Sequence, residues 1–298
     1  MSPLEIVLVL LAGLGAGTIN AIVGSGTLIT FPTLVAFGVP PVTATMSNAV
    51  GLIPGNIASS FGYREELRGQ GRKILQLLPA SLLGSVVGAF LLLSLPENAF
   101  ETIVPVLIVL AIILVVGQPA LQRYLRERKA ARGEGRPASE QSGGAGSADA
   151  QPAAVGPDDH GGAVTASGSH PAGGPPLSTG RFIAVLAAVF FTAVYGGYFA
   201  AAQGIILIAL LGLLVPESLQ RINGAKNVLV LVVNSVAAAV YIAIGFDRIN
   251  WQAVLLIAIG SLIGGYLGAR VGRRLNPVLL RSVIVVLSLV ALWRILQM

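Results

Sequence analysis

Apolar runs of about twenty residues recur along most of this chain, and they constrain its fold more than any motif does. They occupy residues 4–23, 42–62, 74–95 and 98–117, then 182–200, 222–244, 251–271 and 278–297. At about 1.5 Å per helical residue, each can cross a hydrocarbon core of roughly 30 Å. Charged residues make up only 11% of the 298 positions, against about 25% in soluble chains. So little charge cannot wet the surface of a chain this long, and lipid must cover it. The pI near 10.1 would suit a nucleic-acid binder if the basic residues shared one soluble face. They lie between apolar runs instead, so the expected partner is the lipid bilayer and not nucleic acid. With no cysteine, disulfides, thiolate metal sites and cysteine nucleophiles are ruled out. The fold class is all-α, a polytopic transmembrane helical bundle.

Two shorter apolar pieces, 26–37 and 204–215, follow the first run of each part. At some 18 Å they are too short to cross at full thickness, and they read as broken or re-entrant helices. Residues 118–180 have another character. A basic stretch from Arg123 to Arg136 gives way to Gly, Ala, Ser, Pro and Asp. Such a segment buries too little to offset its ordering entropy and is expected to be a disordered linker. The expected organisation is therefore a first transmembrane repeat (1–117), a linker (118–180) and a second transmembrane repeat (181–298). His160 and His170 lie in the linker without other ligands near them, so no metal site is expected. The first apolar run lacks a basic leader, so no cleaved signal peptide is expected.

The two flanks resemble each other. Asn56-Ile57-Ala58 and Asn234-Ser235-Val236 share an offset of 178. Leu82-Leu83-Gly84 and Leu262-Ile263-Gly264 share one of 180. A nearly constant offset over many anchors indicates an internal duplication. If each short piece counts as a crossing, the repeats are inverted and 16 of the 19 basic residues fall on one side. Basic residues favour the cytoplasmic side. The expected arrangement is a multi-pass protein of a bacterial-type cytoplasmic membrane, with the linker in the cytoplasm.

Inverted repeats with interrupted helices are a recurring plan of secondary transporters, whose substrates sit where helix ends leave backbone groups free. A free helix N-terminus favours an anion. The first interruption reads Gly24-Ser25-Gly26-Thr27, where glycines permit close backbone approach and two hydroxyls can donate. Small residues also serve close helix packing, the role expected of Gly13, Gly15 and Gly17. Polar residues stranded within spans are functional candidates: Asn20, Asn48 and Asn56, then Gln203, Asn223, Lys226, Asn227 and Asn234. The offset of 178 pairs Lys226 with Asn48 across the centre. Lys226 would otherwise snorkel to the interface, and Asn56 and Asn234 would otherwise join helices.

All thirteen acidic residues fall in loops, in the linker or at span ends. A cation site would need a carboxylate near the midplane, so the interior suits a small oxyanion. No Ser/His/Asp set and no phosphate-binding loop occurs. No catalytic residue, cofactor or metal is expected, and the chain is not read as an enzyme.

The sequence resembles the sulfite exporter TauE/SafE family. The likeness runs from Gly24 through Pro32, then through Ala44-Thr45, Asn48, Pro54-Gly55 and Tyr63-Arg64. It continues in Arg221-Ile222-Asn223-Gly224-Ala225-Lys226-Asn227, Asp247 to Trp251 and Gly260 to Arg270. The resemblance covers both repeats but not the linker. It implies movement of small sulfur-containing or carboxylate anions, such as sulfite or organosulfonates. Ser25 stands where the family often has a glycine, and the linker is long for the family. The expected substrate site has backbone N–H groups at Gly24, Ser25, Gly26 and Thr27 and at Gln203 and Gly204. Asn48, Asn223, Lys226 and Asn227 would complete it, and a second copy of the chain is a candidate partner. The competing functions are an anion or small-solute channel and a membrane-embedded sensory or assembly partner.

Overall fold

A computed structural model describes residues 1–131, 178–271 and 277–295, and among them the regular structure is entirely helical. The first half comprises α1 (Pro3–Ile22), α2 (Thr27–Ala36), α3 (Pro41–Gly51), α4 (Ile53–Gly62), the single turn α5 (Arg64–Leu67), α6 (Gly71–Ser94) and α7 (Glu97–Ala131). The second comprises α8 (Thr179–Tyr198), α9 (Gln203–Leu214), α10 (Leu219–Gly245), α11 (Trp251–Val271) and α12 (Pro277–Ile295). Among the described residues, α1, α6, α7, α8, α10 and α11 are long and apolar enough to cross a membrane. This is a multi-pass helical membrane protein.

Local chemistry explains the ends. Ser2 and Glu5 form a reciprocal capping box at the start of α1, with Pro3 in the first turn, so donors that α1 leaves unpaired are satisfied. Two spans differ from expectation. Residues 42–62 do not form one helix: the chain breaks at Leu52, and Pro54 falls in the first turn of α4, where its missing N–H costs nothing. α7 also runs past residue 117 to Ala131, so residues 118–131 are helical and not a disordered linker. That stretch is rich in helix formers, and Arg123 pairs with Glu127 one turn on at 2.8 Å. The rest of the expected linker, with His160 and His170, lies outside the described residues.

Helix directions follow from which residues meet. Along α1 and α11, Gly13 faces Ile257, Gly17 faces Ser261, and Gly268 faces Thr18, so the two run parallel. α4 runs with them, with Gly55 on Ser261 and Gly62 on Ala269. α6 and α8 are parallel to each other, through Gly84 on Phe190 and Gly88 on Val194. Gly224 of α10 faces Leu67 while Gly245 faces Met46, so α10 opposes α3 and α4. The starts of α6, α8 and α10 gather around one apolar pocket containing Lys73, Phe182 and Ile222. Hence α1 and α8 point in opposite directions, the inverted relation expected from the basic residues. Gly13 and Gly17 serve packing as expected; a side chain at Gly15 would meet only Ile29, at 3.6 Å.

The halves exchange partners. α1 packs most extensively on α11, and α8 packs most extensively on α6. α2 lies on α12, and α9 on α7. Each contact has its counterpart under the duplication. Each short helix starts in the interior and returns toward the face where its half begins. For α9 this follows directly, since Leu211 and Val215 share the pocket at the start of α8. For α2, only residues 37–40 separate it from α3, whose Ser47 bonds Asn250 beside the start of α11. One face therefore carries the starts of α8 and α10 and the end of α7 (the linker face), and the other carries the start of α1.

Candidate functional site

The two interruptions meet in the interior. Gly24, at φ +83°, accepts a hydrogen bond from the Gly204 amide at 3.0 Å. A Cβ on either glycine would lie 2.5 Å from the other's Cα, so only glycine fits at both positions. The backbone donors here are largely spent. The Gly24 amide bonds Ile19, the Gly26 amide bonds the Asn20 side chain, and the Gly204 amide bonds Gly24. Gly24 and Gly204 thus weld the two halves, Gly26 packs against Ala16 of α1, and the three do not present the open donor array that their sequence predicts. The acceptors of Gly24 and Gly26 lie just upstream at the end of α1, but that of Gly204 lies 180 residues away, which local sequence does not reveal.

The side chain of Lys226 lies against this weld, with its Cδ about 3 Å from where a Cβ would sit on either glycine. Lys226 is 1% exposed and donates to the Asn20 carbonyl at 2.9 Å and the Ala21 carbonyl at 3.5 Å. Asn223 and Asn227 also donate to Ala21, each at 3.4 Å. Three α10 side chains therefore cap the last turn of α1, whose carbonyls carry partial negative charge. Among the described residues, Lys226 is the one buried Lys, Arg, Asp or Glu. It reaches inward and does not snorkel.

Asn48 does not face Lys226. It donates to Thr27 at 3.1 Å and accepts a short bond from Thr30, so both ends of its amide join α3 to α2. Asn20 donates to Asn56 at 2.5 Å. Around the first interruption, the Ser25 hydroxyl and one nitrogen of Asn56 are buried without a partner.

The second interruption is different. Gln203 is 1% exposed and packs against Gly196, and neither end of its amide has a partner. The Tyr198 hydroxyl and the Asn234 carbonyl oxygen are also buried and unpaired, as is the Asn223 carbonyl oxygen. Buried polar atoms normally find partners, so this set distinguishes the second interruption from the first. Tyr198 escapes a reading of stranded amides because a tyrosine near a span end looks like an interfacial anchor. The offset of 178 would have exposed it, since it maps Tyr198 onto Asn20. Ala200 and Ala202 take left-handed backbone conformations, at φ +62° and +59°. Tyr195 pins the loop by donating to the Ala201 carbonyl at 2.5 Å.

A cavity of about 180 Å³ opens on the linker face and is lined by Ile22, Tyr63, Gln122, Arg126, Gln220 and Asn223, among others. Asn223 belongs both to this cavity and to the cap on α1, so the cavity floor lies one side chain from Lys226. At the same face, Glu217 accepts from Lys73 at 2.6 Å and from Arg221 at 2.8 Å. Burial pushes the Glu217 carboxyl up, but the two cations outweigh it and hold it below the usual carboxylate range.

A family model described as "Sulfite exporter TauE/SafE" matches residues 9–294. A probable membrane transporter protein of Haemophilus influenzae is 33% identical over 96 residues, 32% of this chain and 38% of that protein. The probable membrane transporter protein YfcA of Escherichia coli K12 is 26% identical over 135 residues, 43% of this chain and 48% of YfcA. The chain thus spans less than half the length of the curated relatives it matches. No solved structure matches it.

Proposed function

We propose that this chain, which belongs to the sulfite exporter TauE/SafE family, is a membrane transporter that carries a small oxyanion such as sulfite or an organosulfonate. The observation that carries this reading is the buried Lys226. Its ammonium is set among the α1 carbonyls, and the unpaired side chains of Ser25, Gln203 and Asn223 belong to the two interruptions or to the same cap. A lone cation in a membrane interior is costly, and an anionic guest offsets that cost. Lys226 supplies the charge, while Ser25, Gln203, Asn223, Asn227 and Tyr198 supply hydroxyl and amide contacts. Asn48 and Thr27 hold α2 and α3 in place.

The anion enters from the linker face past Arg126. We place that face in the cytoplasm, because the described basic residues Arg64, Arg68, Lys73, Arg123, Arg126, Arg181, Arg221 and Arg270 gather there. Rocking of the α1–α11 pair against the α6–α8 pair about the Gly24–Gly204 weld then exposes the site to either side. The test is counterflow of labelled sulfite in proteoliposomes. Saturable counterflow is expected, with at least a ten-fold loss in the folded fraction of Lys226→Ala. Unchanged flux in that variant removes Lys226 from the mechanism, and flux without saturation or counterflow replaces the carrier with a channel.

A further inference from the structure

A groove that does not include Lys226 lies on the outer surface of the linker face, between α4 and α11. This groove of about 480 Å³ is bounded by Phe61, Gly62 and Arg64 on one side and by Tyr266, Ala269 and Arg270 on the other. That volume falls in the range of small-ligand sites, about 300–1,000 Å³. Gly62 makes the groove deep at this point, because its bare Cα lets the Ala269 methyl form the floor. The Arg64 guanidinium lies 4.8 Å above the Phe61 ring, and that of Arg270 lies 5.9 Å from the Tyr266 ring. Arg270 also donates to the Tyr266 hydroxyl at 2.6 Å. Stacking leaves the edge of the Arg64 guanidinium free, and Arg270 keeps N–H groups beyond the one given to Tyr266. Among the described residues, neither arginine has a carboxylate partner in an ion pair. Glu65 lines the groove as well, an acceptor suited to a hydroxyl group.

The apolar approach to the groove is equally specific. Phe61 and Tyr266 are both more than half exposed, and Ile57 and Leu262, one turn back on each helix, are exposed too. Because α4 and α11 run parallel, these residues form two adjacent apolar rails running from the membrane interior to the arginine pair. Acyl chains lie along such rails, and a headgroup ends where the guanidinium pair begins. Basic pockets at the end of transmembrane helices are the usual setting for anionic lipid headgroups.

We propose that this groove binds one anionic phospholipid with a polyol headgroup, its phosphate between Arg64 and Arg270 and a headgroup hydroxyl on Glu65. The proposal is independent of the transported substrate. The full chain in detergent is titrated with phosphatidylglycerol, with phosphatidylcholine and with inorganic phosphate, read by native mass spectrometry and by thermal unfolding. One phosphatidylglycerol per chain is expected to be retained at least ten-fold more tightly than phosphatidylcholine and to raise the unfolding temperature. Arg64→Gln with Arg270→Gln should abolish that preference, while Arg123→Gln, on the exposed end of α7, should keep it. Equal retention of the two lipids by the unaltered protein overturns the proposal without any variant. A response to inorganic phosphate as large as that to the lipid also overturns it, leaving a site for soluble anions.

Discussion

The two interruptions descend from one pattern, yet the first pairs most of its polar side chains and the second leaves most of its own unpaired. In the first, Asn20 meets Asn56, and Asn48 is tied to Thr27 and Thr30. In the second, the corresponding positions are Tyr198 with Asn234 and Lys226 with Ile205 and Ile208. The two isoleucines offer no hydroxyl. Lys226 therefore crosses to the carbonyls of α1, and Tyr198 and Asn234 keep unpaired polar atoms. The duplication supplied a rigid half and a half with vacant bonding capacity. Paired polar side chains concentrate in the first interruption, and unpaired ones concentrate in the second.

The weld between them gives the largest expected effect. Gly24→Ala combines a left-handed backbone with a collision against Gly204, and should cost about 3 kcal/mol or more of stability. Gly38 has a similar φ of +79° with nothing near its missing Cβ. Gly38→Ala should cost only about 1 kcal/mol, the conformational share alone. Thermal unfolding of the two variants separates strain from collision, and equal losses would dissolve the weld as a special feature.

Next in size is a crossed pair of substitutions. Asn48→Leu leaves the hydroxyls of Thr27 and Thr30 without their amide, a loss of about 1–3 kcal/mol, while counterflow of labelled sulfite in the folded fraction persists. Gln203→Leu removes an amide that has no partner, so stability should hold or rise while counterflow falls about ten-fold. The reverse outcome would exchange the roles given to the two interruptions.

The spans, the duplication and the inverted relation were legible from apolar length, a constant offset and basic residues. The split of 42–62 was not, because α3 and α4 are both apolar and Pro54 sits where a helix start tolerates it. The end of α7 was misjudged because charge stops a membrane span but does not stop a helix. At the candidate site, Lys226, Gln203 and Asn223 stood out as polar residues in apolar runs. The engagement of Asn48 and of the Gly204 amide depended on partners from other segments, and no local pattern announced them.

A smaller contrast concerns the outer turns. The α9–α10 turn carries Glu217 with Lys73 and Arg221, whereas the equivalent α2–α3 turn has Val39 and no charge. Because the folded carboxyl is held low, its contribution is complete above the unfolded value of about 4.3. It is lost as pH falls through the lower folded value. Hydrogen exchange between about pH 5 and 3 should therefore loosen the linker end of α9 before the α2–α3 turn. Glu217→Gln should remove that acid sensitivity.

The smallest expected effect lies in the second loop. Ala202→Gly relieves a left-handed alanine, offset by the greater freedom of glycine when unfolded. Ala202 is also fully buried, and losing its methyl costs about 0.8 kcal/mol. The net should be close to zero and the unfolding temperature unchanged, in contrast to the loss expected at Gly24.

The crosswise pairing of α1 with α11 and of α6 with α8 has a historical consequence. A polypeptide of half this length would leave its opening helix and its α6-type helix each without a companion. Such a founder could complete itself only by docking with a sibling inserted upside down, so fusion of two genes would have turned a stoichiometric requirement into a covalent certainty.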